Sequence, residues 1–348
     1  MQSSLPTMVP DHQERAPVNR VSDLWFSKGM VVLQAEDTVF RVSRAILAAR
    51  STVFESMFGI PQPPVDETET LEGTQVVVLH DRKDEVEVFL RAIFDSSFFM
   101  PPPAPVGYDA VLGILRLAHK YDVGYLLRRA VLHLETAFCT RRGQYDPDTP
   151  LVNSIGYIDG VLEMDLRAIA VFECTGVKWL LPWAYYSAGT YSHARIKSCA
   201  DWHELSQDVQ HTLLSLAHIH SRATIAILSI IAVPVDECPT KRSCSGARLA
   251  RMHKELLPAA DPTQRDSLWD CHPFFVWRAH DWAAFRNEVC DVCVDEMRHR
   301  HAAFLDQLWD QLPANCGLED WDAFTSVTTA ITRFSPRGVP TGYPQTSC

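Results

Sequence analysis

The sequence predicts an α+β N-terminal domain, a helical cluster with a small sheet, followed by a mostly all-α C-terminal domain. Three observations predict it. The chain has 348 residues, more than one typical domain of roughly 100 to 200 residues. Short strand-like runs are confined to the stretch that ends at Leu79. Beyond Pro150 the apolar residues recur at helical spacing and nowhere alternate for long.

Residues 1–20 are polar and without period, so a loose tail is expected there, with the fold starting near Val21. Val31 and Leu33, then Val39, Phe40 and Val42, give two runs joined by the polar corner Ala35-Glu36-Asp37, the pattern of a hairpin. Ile46 and Leu47 fall in a short helix that Ser43 can cap, and Ser51 is placed to cap a second, carrying Val53, Phe54, Met57 and Phe58 and stopped by Pro61, Pro63 and Pro64. An acidic loop with Asp66, Glu67, Glu69 and Glu72 follows. It reads as a solvated insertion, with a basic partner surface as the competing reading. Val76-Val77-Val78-Leu79 then reads as a buried strand.

Val86, Phe89, Leu90, Ile93 and Phe94 share one helical face, with Asp84 and Glu87 spaced as a capping box. Pro101 to Pro103 end that helix. Val111, Ile114, Leu115 and Ala118 stripe the next, and Val123, Leu127, Val131, Leu134 and Phe138 stripe another after a break at Tyr121-Asp122. The charged, Gly- and Pro-containing run 141–150 is the expected linker. Domain boundaries are therefore expected at 21–140 and 151–335, with a flexible C-terminal tail over 336–348.

The order hairpin, two short helices, strand, long helix, helix pair resembles the BTB/POZ fold. Phe40-Arg41-Val42-Ser43-Arg44-Ala45-Ile46-Leu47 through Phe54 is similar to the family segment in which a strand feeds into one helix and a second begins at Ser. Leu117-Ala118-His119-Lys120-Tyr121-Asp122-Val123 with Leu126-Leu127 is similar to the later helix pair. Ser43 stands where the family commonly has His. Farther on, Phe172-Glu173-Cys174, Leu180 to Tyr186, and Leu308-Trp309 with Leu312-Pro313, Gly317-Leu318 and Trp321 resemble the helical extension of BTB proteins abundant in mushroom-forming fungi.

The resemblance implies a non-catalytic protein–protein interaction role as scaffold or adaptor. The partners it implies are a second copy of the chain or another BTB protein. The alternative it permits is a substrate adaptor of a cullin-type ubiquitin ligase, holding the cullin through the helix pair at 109–138. Residues 1–20 lack the apolar content expected of an exchanged N-terminal strand. An enzyme or a transcription regulator in the C-terminal domain is the lower alternative.

Composition narrows the partners further. A net charge of -11 argues against nucleic acid, whose binding needs clustered cations. The one basic stretch, Lys241, Arg242, Arg248, Arg251 and Lys254, reads as a solvated face. No run approaches the ~18 apolar residues of a membrane span, and Ala223 to Val233 reads as a buried helix ended by Pro234. The N-terminus has no apolar core of the secretory kind, so ten cysteines imply free or metal-bound thiols in a cytoplasmic or nuclear setting.

Cys290 and Cys293 have the spacing of half a zinc site, and Cys238 and Cys244 could supply the other half of a structural zinc centre. The competing reading is a core pair, because Phe285, Val289, Val292 and Met297 form an apolar stripe around them. The gaps to His299 and His301 do not fit a DNA-binding finger, which leaves solvated histidines near a helix end. Cys271-His272 is a weak nucleophile–base pair, and His203-Glu204 lacks the second His of a zinc protease. Trp179, Trp183, Tyr185, Tyr186 and Tyr191 read as packing between helices, with a ligand pocket as the competing reading.

Overall fold

A strand that the sequence does not announce opens the fold. Strand β1 (Asn19–Trp25) lies parallel to β3 (Thr38–Ser43), with an irregularity between Arg20 and Trp25. It starts inside the stretch expected to be a tail. Only Leu24 of its seven residues is buried, so the alternation that marks a strand never forms; an edge strand can be polar on most of its length. Strand β2 (Met30–Ala35) pairs antiparallel with β3 through the expected hairpin, whose corner places Glu36 in the left-handed region at φ 51.

With β4 (Thr70–Leu71) and β5 (Thr74–Leu79) these strands form one mixed sheet in the order β1-β3-β2-β5-β4. Val32, Val39 and Val76 make its core cluster, against which Val18, Trp25 and Leu71 pack. The run 76–79 is only partly buried: Val78 is 49% exposed.

Two short helices follow the hairpin, α1 (Arg44–Arg50) and α2 (Thr52–Gly59). Ser43 and Ser51 each accept a backbone N–H three residues on, from Ile46 at 3.4 Å and Phe54 at 3.0 Å. Ser43 therefore does the capping expected of it, although it stands where the family commonly has His. Ser51 is buried as well, so Ser51→Ala strands the Phe54 N–H away from water. A stability loss of about 1–2 kcal/mol is expected by urea unfolding.

Helix α3 (Lys83–Phe94) buries Val86, Phe89, Leu90 and Ala92. The expected capping box is absent, because the helix starts two residues early, with Arg82 at the N-cap and no side-chain cap. Asp84 instead takes Arg82 at 3.0 Å, and Glu87 takes Arg91 at 2.9 Å.

The computed structural model describes residues 18–28, 30–60, 70–144, 146, 152–158, 160–256 and 272–324. The expected C-terminal tail and most of the linker, Asp66, Glu67, Glu69, Pro61, Pro63, Pro64 and Cys271 lie outside the described residues. By packing the chain divides into two units, Met1–Phe98 and Phe99–Cys348. Helices α4 (Tyr108–Lys120) and α5 (Gly124–Leu134) belong to the second, since α4 packs on both α5 and α6 (Leu162–Thr175). The break between α4 and α5 falls where expected, at Asp122 with φ 52. α4 is buried almost all round from Val111 to Ala118, more than the single stripe expected, because α5 and α6 cover different sides.

The second unit continues with α7 (Leu181–Ala188), α8 (His193–Ser198), α9 (Gln207–Ile230), α10 (Lys241–Leu256), α11 (Ala279–Phe285), α12 (Asp291–Asp310) and α13 (Leu312–Asn315). Among the described residues no strand occurs after β5. The fold is thus a small mixed sheet with helices, followed by a largely helical region. The aromatic stretch is core: Trp179, Trp183, Tyr185 and Tyr186 are all buried. Trp183 stacks on Tyr186 and Phe274 and lies 6.0 Å from the Trp309 ring.

Helix α9 is long and apolar enough, by length and composition, to cross a membrane. Its stripe of Val209, Leu213, Leu216, His220, Ala223 and Ile227 is buried, and the helix packs on α7, α10 and α12. The segment 223–233 is accordingly one-sided, with Ile225 and Val233 exposed.

Candidate metal centre

The helical unit brings four cysteines to one point. Cys238 sits in the loop after α9, Cys244 at the end of the first turn of α10, Cys290 at the N-cap of α12 and Cys293 in its first turn. All four Sγ atoms lie within 4.8 Å of one another, and those of Cys238 and Cys290 are 3.7 Å apart. A tetrahedron with metal–sulfur bonds of about 2.3 Å has sulfur–sulfur edges of about 3.8 Å. Cys238, Cys244 and Cys293 are buried and Cys290 is half-buried. Among the described residues this is the one group of His, Cys, Asp or Glu side chains so arranged.

Local chain geometry explains the convergence. The stretch 281–312 is not one helix: it breaks over 286–290 between α11 and α12. Cys290 therefore caps a helix instead of sitting inside one, and Val292, expected on the buried stripe, is 40% exposed. The buried face of α12 is Cys293, Val294, Met297, His301, Leu305, Leu308 and Trp309.

The sulfurs also receive hydrogen bonds. The Cys290 backbone N–H donates to Cys244 Sγ at 3.3 Å, and Thr240 Oγ1 lies 3.0 Å from the same sulfur. Burial opposes ionisation of Cys244, but these donors outweigh it and bring its pKa down to about 7. Burial and the neighbouring thiols push Cys293 far up. Without a cation, four thiols at this distance cannot all ionise, since like charges in a buried site raise one another's pKa.

The basic stretch is not uniformly solvated. Lys241, Arg242 and Lys254 are exposed, but Arg248 is buried, with its Nε donating to the Cys244 carbonyl. Arg251 pairs with Asp281 and Glu288 and lies 5.2 Å over the Trp277 ring. Both residues face inward because α10 packs on α9 and its own sequence places them one turn apart. Glu72 of the acidic loop is likewise engaged, by Arg20 and Arg41 of the sheet.

The remaining candidates do not converge into a second site. His299 is exposed as expected, but His301 is buried in the middle of α12, bonded to the Val276 carbonyl at 3.0 Å and set against Trp282. Helical phase puts it in line with Met297 and Leu305. His203 and Glu204 are exposed in a 3-10 turn, Ala200–Glu204. His272 is held by the Tyr186 hydroxyl at 2.8 Å, and burial drives its pKa down to about 3.

The sequence reading missed a buried polar knot. Asp165, wholly buried, accepts from Tyr157 and Ser187 hydroxyls, each at 2.7 Å. His220 is buried against Tyr186, and neither of its ring nitrogens makes a hydrogen bond of normal geometry. These residues join helices; sequence alone could flag them only as polar residues on apolar stripes. An open groove between Pro105–Tyr108 and Asn153–Gly156 offers little for a ligand to grip. The Asn153 amide there is satisfied by the backbone of Ile155 and Tyr157. Among the described residues seven cysteines stand outside any disulfide, whereas Cys174 is disulfide-bonded, a departure from the expectation of unpaired or metal-bound thiols throughout.

Residues 30–137, from the start of β2 to just past α5, match the family model of the BTB/POZ domain. No curated protein matches the chain.

Proposed function

We propose, from the BTB/POZ domain matched over residues 30–137, that the chain acts as a non-catalytic scaffold that pairs with a second copy of itself through its N-terminal unit. The domain is a protein-interaction module, so a scaffold or adaptor role follows for it in general. The single observation that carries the pairing is the state of α1. Of its seven residues only Leu47 is buried, while Ala45, Ile46 and Ala49 lie exposed on the helix, Ile46 at 43%. A helix that gives so little apolar surface to its own unit has a face available for another chain.

Two features weigh against the competing adaptor reading, in which a cullin holds the helix pair. α4 commits its apolar surface to α5 and α6, and the second unit carries no substrate-reading repeat among the described residues. β1 bears on how pairing occurs. It lies beside β3 of its own chain, which supports a dimer docked through helices over one that exchanges strands.

Co-expression of two differently tagged copies tests the proposal. One tag is expected to recover the other copy, and Ile46→Asp is expected to cut that recovery at least tenfold without loss of expression, since a charge would have to be desolvated at the contact. Recovery of a cullin in the absence of the second copy would favour the adaptor reading instead.

A further inference from the structure

We propose that Cys238, Cys244, Cys290 and Cys293 bind one zinc ion as four thiolates, forming a closed structural site that ties the α9–α10 loop and the start of α10 to the start of α12. The inference stands apart from the scaffold reading and would hold whether or not the chain pairs. Four sulfurs mutually within 4.8 Å surround a single point. Two cysteines that merely fill a core need no third and fourth, and a disulfide needs one partner at bonding distance, whereas Cys238 and Cys290 stand at 3.7 Å. The separation fits one ion; a multinuclear cluster would hold its four sulfurs farther apart.

The chemistry selects zinc over harder ions, since soft thiolates on a tetrahedral frame favour zinc or iron, and no oxygen ligand of the kind calcium or magnesium requires is in the group. Four thiolates and one divalent cation leave two net negative charges. The N-terminus of α12, a 20-residue helix, begins at Cys290 and favours negative charge there. Arg248, buried beside Cys244, adds a full positive charge. The Cys290 N–H and the Thr240 hydroxyl are the hydrogen-bond donors that steady ligating sulfurs.

No thiol is left over and no fifth ligand approaches among the described residues, so the ion would have no open position for water or substrate. Its role is to fold, not to catalyse. Each ligating thiol gives its proton to solvent as the sulfur–zinc bond forms, and no oxidation state changes.

Metal analysis of the full-length chain, purified with a phosphine reductant and without chelator, tests this. One zinc per chain is expected. Cys290→Ser with Cys293→Ser should remove nearly all of it, whereas Cys199→Ser, which alters a buried thiol outside the group, should leave the stoichiometry unchanged. Should the double variant fail to fold, cobalt(II) added to the stripped wild-type chain decides. Thiolate-to-cobalt charge transfer together with the intense visible absorption of a tetrahedral ion, saturating at one equivalent, supports the site. A wild-type chain that carries no zinc and shows no such spectrum overturns it, as does iron in place of zinc or a Cys238–Cys290 disulfide in the reduced preparation.

Discussion

Trp183→Ala is expected to lower the stability of the helical unit by about 3–5 kcal/mol, the largest loss of any single core substitution proposed for the chain. Trp183 is 1% exposed. Its ring meets Tyr186 at 5.3 Å, Trp309 at 6.0 Å and Phe274 at 6.4 Å, and Trp309 in turn stacks on Trp321 at 4.9 Å. These residues come from α7, a 3-10 turn, α12 and the segment after α13. The ring thus joins three separate stretches of chain directly and a fourth through Trp309. Removing it leaves a cavity whose walls are large, stiff rings that cannot collapse inward. Trp183→Phe keeps much of the volume and is expected to cost less than half as much. Thermal unfolding followed by near-ultraviolet circular dichroism separates the two variants; equal midpoints would show that the ring is not central.

The second large effect is acid lability. Burial holds His220 down to about 4 and His272 down to about 3. It also lowers His119, His133 and His301. The unfolded chain takes up these protons near pH 6.5, while the folded unit refuses them until the pH is well below that. Stability is therefore full above about pH 6.5 and is lost as pH falls toward 4. Each pH unit in that window costs about 1.4 kcal/mol per refusing histidine, so His220 alone accounts for a loss on the order of 3 kcal/mol by pH 4.

His220 is the cleanest probe, because it contributes no hydrogen bond of normal geometry in exchange for its burial. The Gly189 backbone beside it favours the charged form but does not offset the burial. His220→Leu, similar in volume, is expected to leave stability at pH 7 unchanged or raised and to flatten the fall between pH 6.5 and 4. An unchanged slope in urea titrations across that range would contradict the assignment of His220 as a neutral buried base.

Much of the fold is legible in the sequence because it rests on local signals. The hairpin at 30–43, the Ser51 cap and the break at Asp122 each depend on residues within a few positions of one another. β1 is not legible, since an edge strand with one buried residue carries no alternation to read. The capping box expected at Asp84 fails for a related reason: its two residues have the right spacing, but Arg82 begins the helix and attracts Asp84 to itself.

The four cysteines show the same division. The pairs Cys238–Cys244 and Cys290–Cys293 are visible as two halves. That they meet depends on the helix break at 286–290 and on packing between segments about fifty residues apart, which no local pattern encodes. The burial of His301, by contrast, was within reach of the sequence, since Met297, His301 and Leu305 recur every four residues on one side of α12.

The central claim is that the chain pairs with itself through the exposed side of α1. Light scattering coupled to size exclusion, run on the purified full-length chain from sub-micromolar to tens of micromolar, tests it most directly. The account predicts twice the chain mass at micromolar concentration, and a single chain mass for Ile46→Asp at the same concentration with an unchanged circular dichroism spectrum. A wild-type chain that stays strictly monomeric across the whole range would contradict it.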